Sequence, residues 1–242
     1  MNKIYLIIVR YVLNFFDYFQ QKKIINFLKA HYGSNSLVFF DVGSHYGETV
    51  KLFFKYFKIK EFHCFEASPE NFIILKKTIN DQPFKDICKI NNFGVGSKNY
   101  EFFLNQTKET SSSTINSLNF DSVYMKRKLK ILNIKNKNEY FKKIPIQIIS
   151  LDHYLKGNNL KIIDILKIDT EGFEFEVLKG LELNLFKVKV VYFEHHYDNM
   201  ISKNYKFRDI NNFLVKNKFK KVLKTKMIFR KSFEYIYINT SI

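Results

Sequence analysis

Residues 37–50 read LVFFDVGSHYGETV. A short apolar run, an acid near its end, two glycines with three residues between them and then a helical pattern together spell a strand, a tight turn and a helix. From here the chain alternates short apolar runs with helical patterns, the mark of a parallel sheet covered on both faces. Strands are expected at Leu37–Val42, Glu61–Glu66, Ile87–Phe93, Ile162–Ile168 and Val188–Glu194. Helices are expected at Glu48–Phe57, Glu70–Asn80, Phe173–Lys179 and Asp209–Lys218. Phe219–Leu223 and Glu234–Ile238 read as two terminal strands. The fold class is α/β.

The loop itself carries chemistry. Glycine is scarce, eight residues in 242, and Gly43 with Gly47, Gly94 with Gly96, and Gly172 with Gly180 mark three turns. Where most positions avoid glycine, those that keep it need a positive φ or a close backbone approach. A dinucleotide site would place a third glycine so that a pyrophosphate could rest on the helix N-terminus. That glycine is absent and Asp41 precedes the first one, which suits a cationic cofactor gripped at its amino-acid end. Glu66 ends the second strand about 25 positions later, where doubly wound folds put an acid on ribose hydroxyls.

The stretch IIDILKIDTEGFEFEVLKG, residues 162–180, places Asp169 and Glu171 at a strand end, with Gly172 expected to open the next helix. VVYFEHHYD, residues 190–198, ends in Glu194, His195, His196 and Asp198. Four parallel strands thus carry an acid at their carboxyl ends, Asp41, Glu66, Asp169 and Glu194, the edge at which open α/β sheets bind ligands.

FFDVGSHYGETV, FHCFEASPEN, INNFGVGS, IISLDHYL, ILKIDTEGFEFEVLKG and VYFEHH occur in this order and resemble the FkbM family of S-adenosylmethionine-dependent methyltransferases. The resemblance covers residues 36–198. It implies a Rossmann-like class I methyltransferase with a mostly parallel seven-stranded sheet, its last strand antiparallel. It assigns Asp41, Gly43, Ser44 and Gly47 to the amino-acid portion of S-adenosylmethionine, Glu66 to the ribose, and Asn92 and Phe93 to the adenine. Ser44-His45 departs from the small residue and asparagine usual in the family. The acceptor it implies is a small molecule or glycan, methylated at a sugar hydroxyl. Such a hydroxyl must lose its proton during attack, and Asp169, Glu171 and His195 are the candidate bases. His195 has the ordinary pKa closest to neutrality. Asp169, Glu171, Glu194 and His196 could also converge on a divalent cation, but their spacing matches no strong metal motif and none is predicted.

Composition sets the limits. The formal charge is +17, yet the arginines are only Arg10, Arg127, Arg208 and Arg230, and lysine, asparagine, isoleucine and phenylalanine are abundant throughout. Phosphate recognition recruits the bidentate guanidinium as well, so a nucleic-acid partner is not expected. A nicotinamide oxidoreductase would need the missing third glycine, and a nucleic-acid-binding module would leave the row of acids unexplained. Cys64 and Cys88 are too few for a disulfide framework or a zinc cluster and suit a reducing, cytoplasmic setting.

Residues 1–33 read as an amphipathic helical extension to the domain at 34–242. Arg10, Asn14 and Asp17 interrupt the apolar run and argue against a transmembrane segment. The wide apolar face that remains would pack on the domain, on a second copy, or against a membrane surface. Residues 97–143, with a Ser/Thr cluster at 110–114, form an insertion expected to act as a substrate lid.

Overall fold

The computed structural model describes residues 19–158, 160–226 and 231–242. Helix α1 (residues 19–32) leads into β1 (Leu37–Val42), α2 (Glu48–Tyr56), β2 (Ile59–Phe65), α3 (Pro69–Asn80) and β3 (Cys88–Asn91). After β4 (Gly94–Val95) and β5 (Tyr100–Thr107) come α4 (Val123–Ile131), β6 (Phe141–Ile149) and α5 (Leu151–Asn158). The chain closes with β7 (Ile163–Ile168), α6 (Glu174–Lys179), β8 (Val188–His196), α7 (Phe207–Lys216), β9 (Phe219–Lys226) and β10 (Ser232–Asn239).

Seven strands form one sheet in the order β3-β2-β1-β7-β8-β10-β9. β1 pairs in parallel with β2 and β7, and β10 is antiparallel to both its neighbours, β8 and β9. Side-chain alternation decides the two faces. Val38, Phe40 and Val42 pack with Leu155 of α5, Val177 of α6 and Leu214 of α7 in one core. Leu37 and Phe39 pack with Leu28 of α1, Phe53 of α2 and Leu75 of α3 in the other. Each strand is therefore apolar on both sides, as a doubly covered parallel sheet requires. The chain runs outward from β1 to β3, then returns to add β7 on the other side of β1. This switch in direction opens a crevice beyond the carboxyl ends of β1 and β7.

Several boundaries differ from the sequence reading. The strand-like runs Tyr100–Leu104 and Ile144–Ile149 that the sequence shows around the insertion are parts of β5 and β6, which pair antiparallel, and β4 pairs parallel to β6, giving a three-stranded second sheet. Ser122 caps α4, its hydroxyl accepting from Met125 N at 3.1 Å. The strand expected at Ile87–Phe93 is shorter, because the chain leaves β3 at Asn91 to start the second sheet at Gly94. Helix α5 was not anticipated. Gly172 does not open a helix; it sits at φ 97, and α6 begins at Glu174 after Phe173. Of the extension, Ile24, Ile25, Leu28 and Tyr32 are buried in the core. Arg10, Asn14 and Asp17 lie outside the described residues. Among the described residues, no helix is long and apolar enough to cross a membrane.

Candidate active site

The β1–α2 loop is shaped by backbone demands. Gly43 and Gly47 hold φ values of 88 and 91, the left-handed region that favours glycine. A Cβ on Gly43 would lie 1.9 Å from the Asp169 carbonyl oxygen, so the loop passes directly against the chain leaving β7. Gly43 N and Ser44 N donate to Phe65 O at 2.9 and 3.1 Å, and Ser44 Oγ donates to Asp41 O at 2.8 Å. The loop is thereby tied to both neighbouring strands. Gly47 lies outside the cavity wall and faces Leu75 and Thr78 of α3.

A cavity of about 880 Å³ opens beyond these strand ends. On one side it is bounded by Gly43, Ser44, His45, Glu66, Ala67 and Phe93, and on the other by Lys167, Asp169, Glu171, Glu194, His196 and Glu234. Glu66 is nearly buried; its Oε2 accepts from His45 N at 2.8 Å and its Oε1 from Ser68 N at 2.9 Å. Burial pushes its pKa up to about 7 despite these donors. A carboxylate oxygen has a second lone pair, so Glu66 can still accept from a ligand hydroxyl. Asn92 is exposed and does not line the cavity; its side chain donates to Glu66 O at 2.9 Å and so fixes the strand end.

Asp41 lies behind the wall, fully buried. The Lys167 ammonium stands in front of it, 3.4 Å from Asp41 Oδ1 and 3.3 Å from Asp169 Oδ2. Burial raises Asp41 to about 6, with Lys167 opposing. Burial would lower Lys167, but Asp169 and Asp41 outweigh it and hold the ammonium charged. The sequence reading missed Lys167; its signal was a single lysine inside an otherwise apolar strand, ILKI.

Beyond β7 the chain makes a strained turn, with Glu171 at φ 51 followed by Gly172 at φ 97. Glu174 holds it, its Oε1 accepting from Gly172 N at 2.8 Å and Thr170 N at 3.3 Å, while Tyr205 donates to Oε2. The turn sets Glu171 Oε2 3.4 Å from His196 Nε2. His196 is also 3.5 Å from Glu194 and 3.7 Å from Asp198. Burial would lower its pKa, but Glu171, Asp198 and Glu194 outweigh it and raise it to about 10, so the ring is an imidazolium at neutral pH. Burial lifts Glu171 to about 7, with His196 pulling it down and Glu194 and Asp169 pushing it up.

His195, next along the strand, points to the other face. It is 3% exposed, packed among the Tyr197, Tyr205 and Phe207 rings, and does not border the cavity. Burial lowers its pKa to about 3, with Lys203 and His196 adding to the shift. Of these two neighbours it is His196 that faces the cavity. Glu234 of β10 was also missed. It sits directly across from Glu194 in the antiparallel ladder and is raised to about 7, chiefly by burial. Asp169, Glu171, Glu194 and His196 all border the cavity, but among the described residues no group of three or more such side chains is arranged to hold a metal ion.

Comparison with known proteins accords with this architecture. The methyltransferase FkbM from Methylobacillus flagellatus KT superposes with a TM-score of 0.54 at 15% identity, over 84% of this chain and 44% of that one. This chain therefore spans under half the length of that protein. The magnesium protoporphyrin IX methyltransferase of Synechocystis PCC 6803, solved with bound SAM, gives 0.52 at 8% identity, over 90% and 77% of the two chains. The METTL16 methyltransferase domain gives 0.51 at 12%, over 90% and 67%. At these identities the likeness is one of fold. No curated protein sequence matches the chain significantly. The family model of the methyltransferase FkbM domain matches residues 41–221, and the chain belongs to the FkbM family of S-adenosylmethionine-dependent methyltransferases.

Proposed function

We propose that the protein methylates a hydroxyl on a sugar or glycan-type acceptor, with Glu171 as the base. The observation that carries this reading is the Glu171–His196 pair, a carboxylate held by a strained turn at the cavity wall beside an imidazolium. The cavity's carboxylates suit the cationic methyl donor, and Glu66 and Phe93 suit its ribose and adenine. S-adenosylmethionine, when bound, supplies an electrophilic methyl group on sulfur. The protein's part is orientation and proton removal. Glu171 takes the acceptor's hydroxyl proton as that oxygen bonds to the methyl carbon and the carbon–sulfur bond breaks, leaving a methyl ether, S-adenosylhomocysteine and a protonated Glu171. His196, held charged, favours the ionised form of Glu171 in which it can accept a proton. Asp169 is engaged by Lys167 and serves the cofactor wall. A carboxyl near 7 is matched to proton transfer at neutral pH.

The test is mass-spectrometric detection of methylated product from a panel of nucleotide sugars and glycans. Glu171→Gln should lose roughly 100-fold or more in turnover while retaining its fold and its affinity for S-adenosylhomocysteine. In the wild type, activity should rise with pH through about 7. Undiminished turnover in Glu171→Gln would remove Glu171 as the base. Methyl transfer to amines alone would remove the hydroxyl acceptor.

A further inference from the structure

Residues 109–114, ETSSST, cross the cavity as a strap pinned at both ends. At the first end Glu109 Oε1 accepts from Tyr140 OH at 2.7 Å and pairs with the Lys128 ammonium, which also donates to Ser112 Oγ at 2.6 Å. At the second, Thr114 N donates to Asn105 O at 3.2 Å and its hydroxyl donates to Glu171 O at 2.7 Å. Between these anchors the apex touches the cofactor loop through one side chain. Thr110 Oγ1 lies 2.8 Å from His45 Nε2 and 2.9 Å from Tyr46 OH.

The hydrogens of this contact run in one direction, from Tyr46 through Thr110 and His45 to Glu48. Glu48 Oε1, 3.1 Å from His45 Nδ1, accepts when ionised, which places the ring hydrogen of a neutral His45 on Nδ1 and leaves Nε2 as an acceptor. Thr110 then donates to Nε2 and accepts from Tyr46. The His45 and Tyr46 rings stack with centroids 3.7 Å apart. Both Thr110 and His45 hold positive φ, at 58 and 48, a conformation that non-glycine residues keep only where their surroundings enforce it. Two strained residues meeting at a single hydroxyl mark a designed contact.

We propose that the strap is a cap over the cofactor half of the cavity, latched by Thr110, and that Thr110, His45 and Tyr46 are positioning residues that set how fast the cofactor enters and leaves. The strap and the Gly43–His45 loop line one cavity, so a ligand gripped by that loop lies against the strap. Lys128 on Ser112, and Ser113 Oγ between Thr107 N at 3.1 Å and Thr110 O at 2.7 Å, brace the strap from its own side, while Thr110 Oγ1 makes its contacts to the cofactor loop. Those contacts to the loop are hydrogen bonds that water can replace at small net cost. Because Thr114 grips the Glu171 carbonyl, the strap also links the cofactor loop to the turn that carries the base.

The proposal rests on the S-adenosylmethionine reading, and the experiment separates the two. Stopped-flow binding of S-adenosylhomocysteine to the full chain measures association and dissociation rates. Thr110→Val keeps the side chain's shape and removes both hydrogen bonds. It should raise both rates about 5- to 10-fold with the thermal midpoint nearly unchanged. His45→Asn removes one arm and should give a smaller rise in both. Wild-type rates in Thr110→Val would overturn the latch, as would faster dissociation with unchanged association, the mark of a merely loosened site. If Thr110→Val does not fold, wild-type rates in His45→Asn would overturn it equally. Absence of binding by the wild type would instead overturn the cofactor reading beneath it.

Discussion

At the scale of single residues, the site turns on which charges are allowed to stay buried. Asp41 looked from its place before Gly43 like a cofactor contact, yet it is fully enclosed and faces Lys167. Sequence could place both residues on their strands but not show that they meet, because β1 and β7 become neighbours only through a chain crossover of more than a hundred residues. The same holds for His195 and His196: alternation says they face opposite ways, and only the packed Tyr205 and Phe207 rings decide which of them faces the cavity. Replacing Lys167 by Met should expose the consequence. Asp41 would keep a buried charge without its cation, a loss of about 3–5 kcal/mol when one partner of such a pair is removed. At pH 5.5, below its value of about 6, Asp41 escapes the penalty by taking up a proton. The cost in urea unfolding should therefore be much larger at pH 8 than at pH 5.5; equal costs at the two pH values would show that Lys167 does not neutralise Asp41.

At the scale of elements, the strands and glycine turns of the seven-stranded sheet were legible because burial on both faces leaves mainly apolar runs such as LVFFDV and IDILKI. The second sheet was harder to read. In β6, FKKIPIQII, two consecutive exposed lysines and a proline interrupt the pattern before the buried Ile146 and Ile148, and its pairing with β5 spans the whole insertion. The Glu171–Gly172 turn was misread as a helix start because Gly172 follows an acid-rich strand end, whereas Glu174, the first residue of α6, reaches back to hold the amides of the turn before it. Helix α1 shows how an amphipathic pattern finds its partner. Leu28 is fully buried against the β1 face, and Tyr32 OH donates to Asp164 O. Leu28→Ala should cost about 2–5 kcal/mol in chemical denaturation, against at most ~0.5 kcal/mol for the exposed Lys22→Ala. A negligible loss at Leu28 would mean that residues 19–32 are an appendage and not part of the domain's core.

At the scale of the whole molecule, the +17 charge and the site have opposite signs. Lysines cover the surface, while at the strand ends the cavity gathers Glu66, Asp169, Glu171, Glu194 and Glu234 about Lys167 and His196, and its acids outnumber its lysines. Bulk composition was therefore no guide to the ligand, and the order of acids at the strand ends was. This crowding predicts an unusual pH dependence. Asp41 at about 6 and Glu66, Glu171 and Glu234 at about 7 all lie above their ordinary values, so between about pH 4.5 and 7 the folded protein holds protons that the unfolded chain releases. Stability must then fall as pH rises through that window. His196, raised to about 10, extends the fall from about 6.5 to 10. Two buried neutral histidines oppose it: His63 at about 4 and His195 at about 3 make the unfolded chain the better proton binder below 6.5. Four carboxyls outweigh two rings, so the ligand-free protein should melt at a higher temperature at pH 5.5 than at pH 8.5. Glu234→Gln, which removes one of the four, should narrow that difference in thermal melts recorded across pH 5–9. A midpoint that rises toward alkaline pH would mean that these carboxyls are ionised and solvated in the folded protein, and that the cavity does not carry the charge crowding on which the donor-binding argument relies.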